Sequence, residues 1–172
     1  MNETLQNICS RRSVKAYKPD MPPMALIDDI IKAGMNAPTG MNRQSPIIIA
    51  VTDKAVRDRL SKLNAEIMGG SGDPFYGAPV VLIVLADRSV PTYLYDGTLV
   101  MGNLLNAANA AGLGSCWIHR AKEEFQTEEG KALLRSLGIT GDYEGIGHCI
   151  IGYPAGDIPA PKPRKENWVY KV

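Results

Sequence analysis

PVVLIVLA, Pro79 to Ala86, contains the longest apolar run in the chain, Val80 to Ala86. That run is far shorter than the roughly 20 residues a membrane-crossing helix needs. Its unbroken β-branched and aliphatic content suits a strand buried on both faces. Upstream, PIIIAVT (Pro46 to Thr52) has the same character and predicts a second strand, also buried on both faces. Between the two, Asp53 is placed to cap a helix running through Leu60 and Leu63 to about Met68, and GGSGDPFYG (Gly69 to Gly77) is a turn-rich loop.

Downstream, Thr92 to Gly112 carries the longest helical pattern. Leu94, Met101, Leu104, Leu105, Ala108 and Ala111 lie on one side, and Gly97, Gly102, Ala107 and Ala110 lie elsewhere. Small residues on more than one face allow close backbone approach, so this helix is expected at the centre of the fold and at a subunit interface. Cys116 to Ile118 predicts a short strand, Ala121 to Leu137 two amphipathic helical pieces, and Tyr143 to Tyr153 a last core strand interrupted by Gly145, Gly147 and Gly152. At the other end, Thr4 to Cys9 predicts a short helix. Pro22 and Pro23 start another, with Leu26, Ile27, Ile30, Ile31 and Gly34 at three- and four-residue spacing, and it stops at Pro38-Thr39-Gly40. Pro154, Pro159, Pro161 and Pro163 keep the tail extended, and its Trp168-Val169-Tyr170 needs a surface to lie against.

The 172 residues carry 19 Lys and Arg against 18 Asp and Glu, with 45% hydrophobic and 22% charged residues. A chain of this length is expected to be one domain over 1–172, and a ~150-residue domain buries about 68–70% of its unfolded surface. Near neutrality argues against a general polyanion-binding surface, so nucleic acid is not expected as a partner. Cys9, Cys116 and Cys149 have no C-x-x-C spacing and suggest neither a disulfide framework nor a zinc site. No signal-peptide h-region or membrane span is visible, and a cytoplasmic protein with reduced thiols is expected.

Two local cation clusters stand out against this neutral background. Arg11, Arg12, Ser13 and Lys15 lie within five residues, and Lys162, Arg164 and Lys165 form a second group in the tail. Arginine forks and a hydroxyl suit phosphate oxygens, and two clusters in a neutral protein suggest one shared anion. Any one of these cations taken singly would be a solvated surface charge. APTGMNRQ (Ala37 to Gln44) places the amides of Asn42 and Gln44 beside a Pro-Thr-Gly turn, as recognition of a heterocycle edge or a polyol requires, although such residues also make ordinary turns.

GLGS (Gly112 to Ser115) and GIGHCIIG (Gly145 to Gly152) begin as G-x-G without completing a dinucleotide fingerprint. No P-loop, H-E-x-x-H or G-x-S-x-G occurs. Cys116 beside His119 reads as packing and not as a catalytic thiol.

Taken together, RRSVKAYKPD, APTGMNRQ, YDGTLVMGNLLNAANAAGLGSCWIH, and IGYP with its KPRK tail resemble the nitroreductase family of FMN-dependent oxidoreductases, in the family's order and over nearly the whole chain. The resemblance implies an α+β fold with a mixed central β-sheet flanked by helices, assembled as an intertwined homodimer with FMN at each of two subunit interfaces. It places Arg11, Arg12, Ser13, Lys162 and Arg164 on the ribityl phosphate and Lys15 at the N1/O2 edge. Pro38, Thr39, Gly40, Asn42 and Gln44 would reach the flavin from the partner subunit. Trp117, Ile118, His119 and Arg120 would pass behind the ring, with a backbone N–H near N5. The activity implied is ping-pong hydride transfer from NAD(P)H through flavin N5 to a nitroaromatic, quinone or similar acceptor, with no side chain needed as acid or base. A flavin-binding carrier or redox sensor with negligible turnover, and a specialised reduction such as dehalogenation, are the alternatives. The chain lacks the helical insertion with which longer members of the family build a lid before GLGSCWIH.

Overall fold

The strand β2 (Val80–Asp87) has neither face free for solvent, and two layers of helices cover it. The computed structural model describes all residues 1–172. Side chains alternate along a strand, so Val81, Ile83 and Leu85 enter one apolar cluster while Val80, Leu82 and Val84 enter the other. The first cluster is closed by α3 (Lys54–Ile67) and α5 (Ala121–Gln126), through Leu60, Ala121 and Phe125, with α6 (Glu128–Ser136) packed outside. The second is closed by α2 (Met24–Met35) and α4 (Tyr93–Ala110), through Ile27, Ile30, Val100, Met101, Leu104 and Ala108. A further helix, α1 (Glu3–Ser10), touches α4 through the Asn7 and Asn109 side chains, 2.6 Å apart.

The sheet has the order β1-β2-β4-β3, with β1 at Pro46–Val51, β3 at Gly114–Ile118 and β4 at Tyr143–Gly152. All three strand pairs are antiparallel where a mixed sheet was expected, and one isolated parallel bridge, Ser13 to Ser115, lies outside the four strands. Helix starts follow the expected chemistry: the Asp53 carboxylate accepts from Val56 N–H at 2.9 Å, and the Thr127 hydroxyl accepts from Gly130 N–H at 3.1 Å.

One strand departs from its expected environment. β1 is an edge strand, and Ile47 and Ile48 are only half-buried where burial on both faces was expected. A β-branched run reads alike whether a second neighbour belongs to its own chain or to another. α4 behaves similarly. One face packs on the sheet, while Leu94, Tyr95 and Leu99 remain exposed on the other and nothing lies near Gly102. The tail after Pro154 carries neither helix nor strand, and Trp168, Val169 and Tyr170 are exposed.

The glycines of β4 make room for the element that leads into the site. The β2–β4 register slips between Val84 and Leu85, leaving Ile146 as the extra residue of a bulge between Gly145 and Gly147. A Cβ on Gly145 would overlap the Ala121 carbonyl at the start of α5, and one on Gly147 would overlap the Trp117 indole nitrogen. Gly145→Ala is expected to push α5 away and to destabilise the fold by roughly 1–3 kcal/mol. Urea unfolding checks this as a lower midpoint at unchanged slope.

Candidate functional site

The Ser13–Ser115 bridge lays the N-terminal segment along the outer edge of β3, with Val14 N–H donating to the Ser115 carbonyl at 3.0 Å. The two strands of chain run parallel, so Lys15 advances alongside Trp117. The start of the tail returns to the same place, because Tyr17 bridges Pro154 and Ala155 N–H donates to the Ala16 carbonyl at 3.0 Å. Together they form a cleft of about 700 Å³ lined by Arg11, Arg12, Ser13, Lys15, Lys162 and Arg164. The two cationic clusters read from the sequence therefore share one cavity, and Lys165 does not line it.

The charge in this cleft has no internal counterpart. None of Arg11, Arg12, Lys15, Lys162 and Arg164 has a carboxylate within 4.0 Å, whereas Arg57, Arg88 and Lys122 elsewhere are paired. Arg12 spends one terminal nitrogen on the Cys9 and Arg11 carbonyls, at 2.8 and 2.7 Å, and its buried Nε has no partner. An unpaired donor of this kind costs free energy unless an acceptor arrives. The cleft's chemistry is therefore that of an anion site, and phosphate oxygens suit its forks of donors. At its margin, Lys15 Nζ lies 5.8 Å from the centre of the Tyr76 ring.

At the far end of β3, Trp117 and Ile118 lead into a turn through His119 and Arg120, the latter left-handed at φ 77°. Neither the His119 nor the Arg120 main-chain N–H donates to a protein acceptor. The turn thus offers two free donors. The Trp117 indole N–H is buried and also unpartnered, and its ring centre lies 6.0 Å from that of His119. Cys116 is buried in β3, and burial pushes the thiol of Cys149, on the neighbouring β4, far above its usual range, so Cys149 is no reactive thiolate.

The third group, Pro38 to Gln44, is not brought to the cleft. This loop precedes β1, at the opposite edge of the sheet, and three strand spacings put the two edges about 14 Å apart. Its conformation is costly, since Met41, Asn42 and Gln44 all have φ between 50 and 54°. Asp96 holds it there. The buried carboxylate accepts from Gly40 N–H at 2.9 Å, the Ser45 hydroxyl at 2.7 Å and the Thr92 hydroxyl at 3.0 Å. The Thr39 hydroxyl accepts from Gln44 N–H at 3.2 Å, and Gln44 Nε2 donates to Asn42 Oδ1 at 3.3 Å. The residues Thr39 and Gln44 line a groove with Ile31, Met35, Ile47 and Val100.

The model of the nitroreductase family matches residues 8–153. The chain belongs to the nitroreductase family. The FMN-bound nitroreductase of Bacteroides fragilis superposes with a TM-score of 0.91 at 27% identity, each chain covered in full. The FMN reductase (NAD(P)H) of Bacillus subtilis is 27% identical over 187 residues, 95% of this chain and 70% of that protein. The iodotyrosine deiodinase of Thermotoga neapolitana is 27% identical over 177 residues, 91% of this chain and 90% of that one. The α+β fold expected from the sequence is thus the fold found.

For this nitroreductase-family chain, sequence reading passed over the residues that hold the site in shape. In the sequence Asp96 is only a charge inside an apolar helical pattern, Asn64 and Glu124 are ordinary polar positions of a helix, and His148 is a histidine with no metal-binding motif around it. Burial raises the Asp96 carboxyl, but its three hydrogen bonds outweigh that and hold it below the usual carboxylate range. The stability it contributes is present above the unfolded carboxylate range and is lost as the pH falls through the lower folded value. Asp96→Ala is expected to cost about 2 kcal/mol or more by orphaning buried donors. The wild-type minus variant difference in unfolding free energy should shrink on acidification below about pH 4.

Proposed function

We propose that this chain binds FMN through the cationic cleft and acts as an NAD(P)H oxidoreductase, working as a homodimer in which each site is completed by the partner subunit. The observation that carries this reading is the cleft with five cations, no carboxylate and an unpartnered Arg12 Nε. Arg11, Arg12, Ser13, Lys162 and Arg164 would hold the terminal phosphate, and Lys15 would stand at the N1/O2 edge. The free N–H donors of His119 and Arg120 would face the N5 side, with Trp117 and Ile118 behind the ring. When bound, FMN supplies hydride acceptance and donation at N5, taking from NAD(P)H and giving to a nitroaromatic, quinone or similar acceptor in alternation.

The separation of the two sheet edges supports the dimer. Pro38, Thr39, Gly40, Asn42 and Gln44 can join a cleft at the β3 edge only from a second copy, and the exposed tail, the β1 edge and the open face of α4 are surfaces such a copy would cover. Residues 1–172 would act as one FMN-binding unit, and the three free thiols favour the reducing cytoplasm. No helix is long and apolar enough to cross a membrane. Reductive dehalogenation is a second reading, favoured by the deiodinase likeness along nearly the full length of both chains.

The visible spectrum of the purified protein, with mass identification of what heat releases, tests the cofactor, and steady-state NAD(P)H oxidation with an acceptor separates an enzyme from a carrier. FMN should bind more tightly than riboflavin, and Arg11→Ala or Arg164→Ala should each cost about 1.5–3 kcal/mol of FMN affinity in a titration. An unchanged dissociation constant would return these residues to solvated surface charge. The Lys15 ammonium, at an edge that gains negative charge on reduction, would favour the reduced form. Lys15→Met should therefore lower the midpoint potential by a few tens of millivolts, given that ~30 mV corresponds to ~1.4 kcal/mol for two electrons.

A further inference from the structure

Three fully buried polar side chains from three separate elements converge behind the Ile118–Arg120 turn: Asn64 on α3, Glu124 on α5 and His148 on β4. His148 Nδ1 lies 3.2 Å from the Ile118 carbonyl, and its Nε2 lies 2.9 Å from Glu124 Oε2. The other oxygen of Glu124 accepts a short bond from Asn64 Nδ2, which also donates to the His119 carbonyl at 2.9 Å. Asn64 Oδ1 accepts from Arg120 Nε at 2.9 Å. Every residue of the turn is thereby tied to the buried chain.

The consequence follows from peptide geometry. A trans peptide is planar, with its C=O and N–H pointing in opposite directions. Drawing the Ile118 carbonyl inward to His148 turns the His119 N–H outward, and drawing the His119 carbonyl inward to Asn64 turns the Arg120 N–H outward. These are the two donors that have no protein acceptor. The protons also have to be accounted for. Both ring nitrogens of His148 face oxygen acceptors, but a neutral imidazole carries one N–H. A further proton must sit between Nε2 and Glu124, so that neither contact sets two lone pairs against each other.

We infer that Glu124, acting through Asn64 and His148, is the positioning residue that aims the main-chain N–H donors of His119 and Arg120 out of the fold. The inference rests on the proposed flavin site for what those donors meet, and on the structure alone for their direction. Glu124 touches no reacting group; it acts only through the turn. A glutamine at this position can do the same work without the extra proton, since its amide donates to Nε2 while its oxygen accepts from Asn64.

The test separates the two layers. In the flavin-free protein, 15N relaxation should give order parameters near ~0.85 for the His119 and Arg120 amides, and below ~0.6 for both in Glu124→Ala. Glu124→Gln should restore the wild-type values. In the FMN-loaded protein, Glu124→Ala should slow flavin reduction by NAD(P)H about tenfold while changing the FMN dissociation constant less than about threefold, and Glu124→Gln should again restore the rate. A disordered turn in the wild type, or a Gln variant as disordered and as slow as the Ala variant, would overturn the inference. The wild-type and Gln measurements decide it even where Glu124→Ala does not fold. A wild type that binds no FMN but keeps an ordered turn would remove the proposed function and leave the positioning role standing.

Discussion

The architecture depends on the requirement that β2 be covered on both faces. Burying six consecutive aliphatic residues, Val80 to Leu85, contributes on the order of 10 kcal/mol of transfer free energy at about 1.5–3 kcal/mol per fully buried side chain, an upper figure before conformational entropy is subtracted. Neither α2 with α4 nor α3 with α5 could shield both faces alone. Once both pairs are committed to the faces, polar groups for ligand recognition are left to the two ends of the sheet order and to the loops beyond them. The cationic segment lies along β3 and the amide loop leads into β1.

Each of those edges is stiffened by buried polar chemistry. At the β1 end a single carboxylate, Asp96, draws together a loop that would otherwise relax from three left-handed residues. At the β3 end, the Asn64–Glu124–His148 chain sets the turn, and the glycine-flanked bulge of β4 lets α5 come close enough for Glu124 to reach His148. The cleft itself has the opposite character: its cations are left without internal partners. Structural charges in this molecule are satisfied from within, and those that line the cleft are not.

How much of this was legible in the sequence follows from which interactions are local. The strands, the α4 pattern, the Asp53 cap and the extended tail all arise from neighbours within a few residues, and they appear where periodicity and turn chemistry place them. The cation clusters were legible by composition, because charge is visible whatever its surroundings, and their meeting could be guessed from the neutrality of the rest. Sheet order and the edge position of β1 were not legible, since Ile47 and Ile48 carry no mark of whether a neighbouring strand will cover them. Asn64, Glu124 and His148 lie 24 to 84 residues apart along the chain, and nothing in LNAEI or KEEFQ distinguishes a buried amide or acid from a solvated one. Their role emerges only when three elements fold onto one another.

The edge position of β1 has a consequence for the life of the newly made chain. A strand with one side unpaired displays a row of backbone donors and acceptors, and here it also carries half-buried isoleucines and no lysine or interior proline as a deterrent. Any extended segment can add to it, whether from a correct mate or from an unrelated misfolded neighbour. The exposed Trp168, Val169 and Tyr170 of the tail make a second adhesive element on the same molecule. Until something covers them, these two surfaces leave the newly made chain open to aggregation.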